Sequence, residues 1–120
     1  MIKRIHSTLF LCNDINQTAK FYKRVGFVVE VSNDAVRIIF SDYRLAFIAE
    51  DKATVLDDPA VKKGGGMFIY FEVEDVDSFY RVLKEKNIET ISEPKSYPWG
   101  KREFMVTDPD GYRLIFFSNT

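Results

Sequence analysis

Few side chains in this sequence could bind a transition metal or act as a nucleophile. His6 is the only histidine and Cys12 the only cysteine among 120 residues. One imidazole cannot form a two-histidine site, and carboxylates such as Glu50 or Glu103 would supply only oxygen ligands, which suit hard cations. No histidine lies at a position matching Cys12, so a histidine-activated cysteine nucleophile is not expected.

Two aromatic side chains, Tyr97 and Trp99, stand in a predicted loop before a strand at residues 102–107. A solvent-facing indole is expected to cover either apolar surface or a ligand. The pair could therefore line a ligand cleft, or form a lid packed on its own sheet. Most of the other aromatic residues, in a chain with 11 Phe and 6 Tyr, are expected in the core.

The first half of the chain predicts the element order βαβββ. Residues 5–12 alternate as a strand does, and Asp14 then opens a helix over 15–24 that ends at Gly26. Short apolar runs at 27–31, 36–40 and 44–48 are separated by turn residues and predict three strands.

The second half repeats the first at an offset of 61 residues (75 minus 14). This offset places Asp75 on Asp14 and Asn87 on Gly26, which is typical of a duplicated unit. We therefore expect one domain, 1–120, with modules at 1–50 and 66–120 and a linker at 51–65. The linker includes the start of Gly64-Gly65-Gly66, which precedes a strand and lacks the spacing of a phosphate-binding loop.

Strand alternation sorts the predicted strands into two faces. The almost wholly apolar face should pack under the helices; it carries Thr8, Phe10, Cys12, Val36, Ile38, Phe40, Leu45, Phe47, Ile69, Phe71, Val73, Phe104, Val106, Leu114 and Phe116. The opposite face mixes apolar residues with charges, which suits a ligand cleft but also an ordinary half-solvated sheet.

The closing segment of the chain carries a family resemblance. Pro98-Trp99-Gly100-Lys101-Arg102-Glu103-Phe104 precedes a predicted hairpin turn at Asp108-Pro109-Asp110-Gly111. This block resembles the glyoxalase, bleomycin-resistance and extradiol-dioxygenase superfamily, also called vicinal-oxygen-chelate proteins. The resemblance implies an α+β fold in which two tandem βαβββ modules form a curled mixed sheet around a cleft, with the helices on the convex face.

Metal-dependent members of that superfamily place ligands on the concave face, at positions that the resemblance maps to Ser7, Ala46, Phe68 and Ile115. None of these residues is a good ligand, because Phe and Ile offer no lone pair to a metal. His6 is one residue away from Ser7, which turns it to the other face of the strand. We therefore expect neither metal nor cofactor.

The resemblance to the metal-free branch, including bleomycin-resistance protein, implies a protein that binds and sequesters a small molecule. Such binders tend to be strongly acidic, whereas this chain has a net charge of −1, so bleomycin is not the expected ligand. The alternatives are a glyoxalase-type lyase or isomerase, a dioxygenase with an atypical metal site, and a regulatory or interaction module. The predicted ligand-binding residues are Arg37, Phe68, Tyr70, Tyr97, Trp99, Glu103, Met105 and Arg113.

Composition restricts the partners. Lys and Arg number 17 against 18 for Asp and Glu, so no global field favours nucleic acid or an anionic membrane. A single cysteine allows no internal disulfide, and the first apolar run is too short and too interrupted for a signal peptide or membrane span. These features favour a cytoplasmic protein, and the resemblance favours a homodimer.

Overall fold

The structure, a computed structural model, describes residues 1–52 and 62–119. The chain divides into two compact units, Met1–Lys63 and Gly64–Thr120. Most of the predicted linker, residues 53–61, lies outside the described residues.

Each unit contains one helix and one four-stranded mixed sheet. The first unit consists of β1 (Ser7–Cys12), α1 (Ile15–Val25), β2 (Val29–Val31), β3 (Ala35–Ile39), β4 (Arg44–Ala49) and a short 3-10 turn (Glu50–Lys52). The second consists of β5 (Ile69–Glu72), α2 (Val76–Glu85), β6 (Lys95–Ser96), β7 (Lys101–Thr107) and β8 (Arg113–Asn119). The strand orders are β1-β4-β3-β2 and β5-β8-β7-β6, and in each sheet the first pair is parallel and the others antiparallel. The predicted fold class, two tandem βαβββ modules, is confirmed.

The helix ends repeat between the units as the sequence offset predicts. Asp14 and Asp75 each accept hydrogen bonds from the backbone amides two and three residues later, at 2.8 and 3.2 Å for Asp14 and 3.1 and 3.2 Å for Asp75. Gly26 (φ 119°) and Asn87 (φ 58°) take left-handed conformations just after the two helices. At 11 and 10 residues, neither helix is long enough to cross a membrane, and no other helix among the described residues is long and apolar enough to do so.

Equivalent aromatic pairs form the two cores. Phe10 stacks on Phe47 with ring centroids 5.0 Å apart, and Phe71 stacks on Phe116 at 5.4 Å. Each pair spans the parallel strands of its sheet, because Phe10 faces Phe47 and Phe71 faces Phe116 in register. Packing of these rings beneath the helices positions the first and last strand of each unit.

Phe40 is the exposed residue of the face expected to form the core, whereas Thr8, Ile69, Phe71 and Val73 are half-buried. Phe40 is 37% exposed, because β3 ends at Ile39 and Phe40 already belongs to the turn, where its amide donates to the carbonyl of Tyr43 at 3.0 Å. Once the chain leaves the sheet, strand alternation no longer determines which way a side chain points.

The predicted hairpin turn joins β7 and β8. The Asp108 carboxylate accepts from the amides of Asp110 and Tyr112 at 2.9 and 3.0 Å, and the Asp108 amide donates to the Tyr112 carbonyl at 2.9 Å. Gly111 supplies the left-handed residue with φ 92°. The turn sets the register that pairs Glu103 with Phe117.

Gly64, which the sequence assigns to the linker, packs within the second unit. It is buried, and a β-carbon at this position would lie 2.8 Å from the carbonyl oxygen of Gly111 and 3.1 Å from the α-carbon of Tyr112. The Gly64 carbonyl also accepts from Arg113 Nη2 at 3.0 Å. The start of the second unit is therefore held against the β7–β8 turn.

Replacing Gly64 with alanine should destabilise the protein more than replacing Gly66. Both glycines have φ +78°, so both changes carry a left-handed backbone cost of about 1 to 2 kcal/mol. Only Gly64→Ala also forces a β-carbon against backbone, whereas nothing lies within 4 Å of the position at Gly66. We expect an additional loss of about 1 to 3 kcal/mol for Gly64→Ala, measured by urea denaturation. Equal losses would contradict the close packing of Gly64.

Candidate functional site

Strand β7 carries side chains into two different environments. Phe104 and Val106 are buried at 1% and 0% exposure, and Phe104 contacts the ring of Phe116 at 5.6 Å. Because successive strand residues point to opposite faces, Glu103 and Met105 are directed to the other side of the sheet. There Met105 faces Ile115 of β8 in register.

On this side of the sheet lies a concavity of about 380 Å³. It is lined by Phe68, Tyr70, Ser92, Tyr97, Trp99, Glu103, Phe104, Met105 and Ile115. Six of the eight residues predicted to bind a ligand are in this set. The structure brings those six together, and their ligand-binding role stays a prediction.

Glu103 is the charged residue of the concavity, and it is only 8% exposed. Its Oε1 accepts a hydrogen bond from Trp99 Nε1 at 2.9 Å, and its carboxylate accepts longer bonds from the Tyr70 hydroxyl at 3.4 and 3.3 Å. No lysine or arginine in the described part of the chain forms an ion pair with this carboxylate. The charge is thus held by two neutral donors.

Trp99 is positioned by a tight turn between β6 and β7. Pro98 stands at the second position of the turn and Gly100, with φ 85°, at the fourth, and the Gly100 amide donates to the carbonyl of Tyr97 at 3.2 Å. Tyr97 and Trp99 stack with centroids 4.5 Å apart and an interplanar angle of 11°. The indole is 56% exposed, so it is not sealed against its own sheet.

Tyr70 contributes a hydroxyl donor and a half-exposed ring. Its pKa is raised above the ordinary value of 10.0 by desolvation first, and then by the negative charge and hydrogen bond of Glu103. The phenol therefore stays protonated and donates to the carboxylate. Its ring meets Phe117 edge-on at 5.8 Å.

The two predicted arginines do not line the concavity. Arg113 lies with its guanidinium carbon 4.0 Å from the ring centroid of Phe68 and is also bonded to the carbonyl of Gly64, so it supports a lining residue from outside. Arg37 lies exposed on β3 in the first unit, paired in register with Glu30. Their predicted contacts with a ligand remain predictions.

The positions that the resemblance maps to metal ligands do not fit a metal. Ala46, Phe68 and Ile115 have no donor atoms, and Ser7 is an exposed hydroxyl 3.1 Å from His6 Nδ1. Glu50 is engaged by Lys63 at 2.8 Å. Within residues 1–52 and 62–119, no three His, Cys, Asp or Glu side chains cluster as metal ligands would.

Three lining residues were not predicted to contact a ligand. Ser92 precedes β6, where its hydroxyl accepts from the Met105 amide at 3.0 Å, and this loop carries no periodic signal. Phe104 was assigned to the core, and Ile115 was placed on the same mixed face as Met105 and at a metal position but was not named as a ligand contact. The Met105–Ile115 pairing is the signal that could have found Ile115.

Replacing Glu103 with glutamine should lower the pKa of Tyr70 toward 10.0. The carboxylate's charge and hydrogen bond raise this pKa, whereas the contribution of desolvation remains in the variant. Because the pKa of Tyr70 is higher in the folded than in the unfolded protein, its contribution to stability is complete at pH values below the unfolded-state pKa. That contribution is lost as the pH rises through the folded-state pKa. Titration of the tyrosine ring resonances by NMR, with Tyr70→Phe for assignment, measures the effect. Glu89→Gln, an exposed carboxylate of the same unit, is the control; an unchanged pKa in Glu103→Gln would contradict the contact.

Solved structures with a closely similar fold come from several bacteria. A hypothetical protein from S. aureus matches with TM-score 0.80 and 22% identity, covering 98% of this chain and 94% of that one. A virulence protein from Salmonella typhimurium matches with TM-score 0.78 and 17% identity, covering 100% and 99%. A lactoylglutathione lyase from Agrobacterium tumefaciens matches with TM-score 0.75 and 18% identity, covering 97% and 93%. At these identities the likeness concerns the fold alone.

Comparison by sequence points to the same group of proteins. No curated protein matches the chain. Residues 4–116 match the family model described as Glyoxalase/Bleomycin resistance protein/Dioxygenase superfamily. The chain therefore belongs to the glyoxalase/bleomycin resistance protein/dioxygenase superfamily.

Proposed function

We propose that this protein is a metal-free small-molecule-binding member of its superfamily, similar in role to the branch that sequesters an antibiotic or metabolite. The observation that carries the proposal is the aromatic concavity of the second unit with a buried carboxylate at its wall. Its volume of about 380 Å³ lies within the range of small-ligand pockets, roughly 300 to 1,000 Å³. Apolar and aromatic walls with a few fixed polar groups are typical of such pockets.

Retention of a ligand follows from the chemistry of the walls. Phe68, Tyr70 and Trp99 are 51%, 44% and 56% exposed, so three accessible aromatic rings border one concavity. A flat ligand stacked on these rings would bury that surface, while the Met105 side chain adapts to its shape. The Glu103 carboxylate would orient the ligand by accepting a hydrogen bond from one of its polar groups.

The enzymatic alternative is a lyase, isomerase or dioxygenase with an atypical metal site. It requires donor atoms where this chain has Ala46, Phe68 and Ile115. The carboxylates that could substitute are engaged elsewhere, Glu50 with Lys63 and Glu103 with Trp99 and Tyr70. The donor set therefore favours binding without a metal. The similarity to a lactoylglutathione lyase structure concerns the fold and does not change which side chains stand at these positions.

A cytoplasmic homodimer is the proposed state of the protein. The family resemblance supports a two-fold dimer, which is the commonest oligomer of soluble proteins. Leu9 and Val28 of the first unit, 49% and 68% exposed, are candidates for its interface.

Native mass spectrometry of the freshly purified protein tests the proposed state. We expect a species of twice the chain mass without a transition metal, because three of the four positions that the resemblance maps to metal ligands have no side-chain donor atom. One metal equivalent per chain that is lost in His6→Ala would move the protein into the enzyme class. A monomer alone at tens of micromolar, roughly the scale of a moderate dimer affinity, would contradict the dimer.

The role of Trp99 can be separated from stability. It is the only tryptophan, so its emission should change saturably with a bound planar aromatic compound drawn from a panel of neutral and cationic molecules. Trp99→Ala should weaken that binding by roughly 1 to 3 kcal/mol without unfolding the protein, since an aromatic anchor is lost. Trp99→Phe keeps a ring but loses the N–H donor, and should lose less. Affinities come from calorimetry and stability from thermal melting.

The contrary result is a large drop in melting temperature for Trp99→Ala together with no change in emission for any compound of the panel. Trp99 would then serve only to hold its own loop.

A further inference from the structure

The Glu103 carboxylate forms no ion pair within the described part of the chain: Lys95, its register partner on β6, places its ammonium over the Tyr97 ring instead. Glu103 is only 8% exposed. Its hydrogen-bond partners in the described chain are the neutral donors of Trp99 and Tyr70. Only the Trp99 bond is short; both bonds from the Tyr70 hydroxyl are 3.3 Å or longer. A buried charge held only by neutral dipoles is poorly compensated, and a positive group placed beside it gains from the low local dielectric.

The aromatic rings around the concavity already attract cations of the chain itself. The Arg113 guanidinium lies 4.0 Å from the Phe68 centroid, and the Lys95 ammonium lies 5.4 Å from that of Tyr97. A ring face has negative partial charge, so it favours a cation within about 6 Å. One face of the Phe68 ring and one face of the Tyr97 ring are therefore already in contact with a cationic side chain of the protein itself.

The indole of Trp99 has a face available to a ligand. Tyr97 covers one face of the indole, and no other ring contact to Trp99 occurs among the described residues. The indole N–H, which lies in the ring plane, is bonded to Glu103, so the carboxylate stands at the edge of the ring beside its uncovered face. Tryptophan is the best ring for cation–π contact.

We infer that the concavity binds a small organic cation, an amidinium, guanidinium or ammonium group attached to a flat apolar body. The positive group pairs with the Glu103 carboxylate, and the flat body stacks on the available face of Trp99 against Met105. This inference rests on the proposed function and narrows it to one charge class. An organic anion would be repelled by Glu103, and a neutral body would leave the carboxylate uncompensated.

A metal ion is not the missing partner. The groups hydrogen-bonded to Glu103 are a phenol and an indole N–H, which only donates, and its register partners Lys95 and Phe117 offer no oxygen ligand from their side chains. One carboxylate with such neighbours does not supply the several oxygen ligands that Ca²⁺ or Mg²⁺ needs. An organic cation needs only one carboxylate and the aromatic surface beside it.

Three probes of nearly equal shape test the charge class: benzamidinium, benzamide and benzoate, which are cationic, neutral and anionic. Calorimetry with the unmodified protein should give benzamidinium an affinity at least about tenfold higher than benzamide, as expected for a charge-assisted pair, with no binding of benzoate. This ranking requires no variant, so it is independent of any folding defect.

Glu103→Gln then removes the charge and keeps the size of the side chain. We expect it to lower the benzamidinium affinity by about tenfold or more while leaving benzamide within about twofold. The control is Glu89→Gln, which removes an exposed carboxylate from the same unit and should change neither affinity. Thermal melting of both variants checks that they are folded.

The outcomes separate this inference from the proposed function. Equal affinities for benzamide and benzamidinium, or an unchanged benzamidinium affinity in folded Glu103→Gln, would overturn the cationic ligand and leave small-molecule binding intact. Failure of all three probes would also contradict the inference, whereas the proposed function is judged separately by the response of Trp99 to the wider panel.

Discussion

Burial of the Phe104 side chain on the core face of β7 determines which side chains of that strand reach the concavity. Its ring contacts Tyr80 at 5.2 Å, Phe116 at 5.6 Å and Phe79 at 6.3 Å, so three rings from α2 and β8 hold it. With Phe104 held inside, strand geometry requires Glu103 and Met105 to point the other way. A register shift of one residue would bury the carboxylate in the aromatic core, which is why the register is strongly specified.

The position of Glu103 in turn organises the aromatic loop. Trp99 stands four residues before it in the chain, and the turn through Pro98 and Gly100 brings the indole N–H back to the carboxylate. The same carboxylate receives the Tyr70 hydroxyl from β5, so one acidic group joins a loop and a strand. Such an arrangement fixes polar groups before any ligand arrives, which reduces the entropy cost of binding.

Sequence patterns predicted the elements well where local chemistry determines structure. The helix caps at Asp14 and Asp75 and the turn at Asp108 follow from side chains that act on their own neighbouring backbone. The left-handed conformations of Gly26 and Asn87 follow from the residue types that tolerate a positive φ. Alternation along β7 also placed Glu103 and Met105 on the face opposite the core, because successive residues of a strand point to opposite faces.

Contacts that join distant or irregular segments were beyond such patterns. The approach of Gly64 to the β7–β8 turn, and the bond from Arg113 to its carbonyl, depend on where a loop ends in space. The contact of Ser92 with β7 is equally non-periodic, and the length of β3 decided the exposure of Phe40. The hydrogen bond between Trp99 and Glu103 required the conformation of the turn, which the residue types alone permit but do not specify.

The indole N–H of Trp99 offers the most direct test of the account, because it is the single indole resonance of the protein and it donates to Glu103. Titration of nitrogen-labelled protein with benzamidinium, followed by NMR, reports whether a ligand reaches that bond. If the concavity binds an organic cation, the indole resonance shifts saturably together with the amide resonances of Tyr70 and Met105. Saturable shifts confined to the first unit, with the indole resonance unchanged, would contradict it.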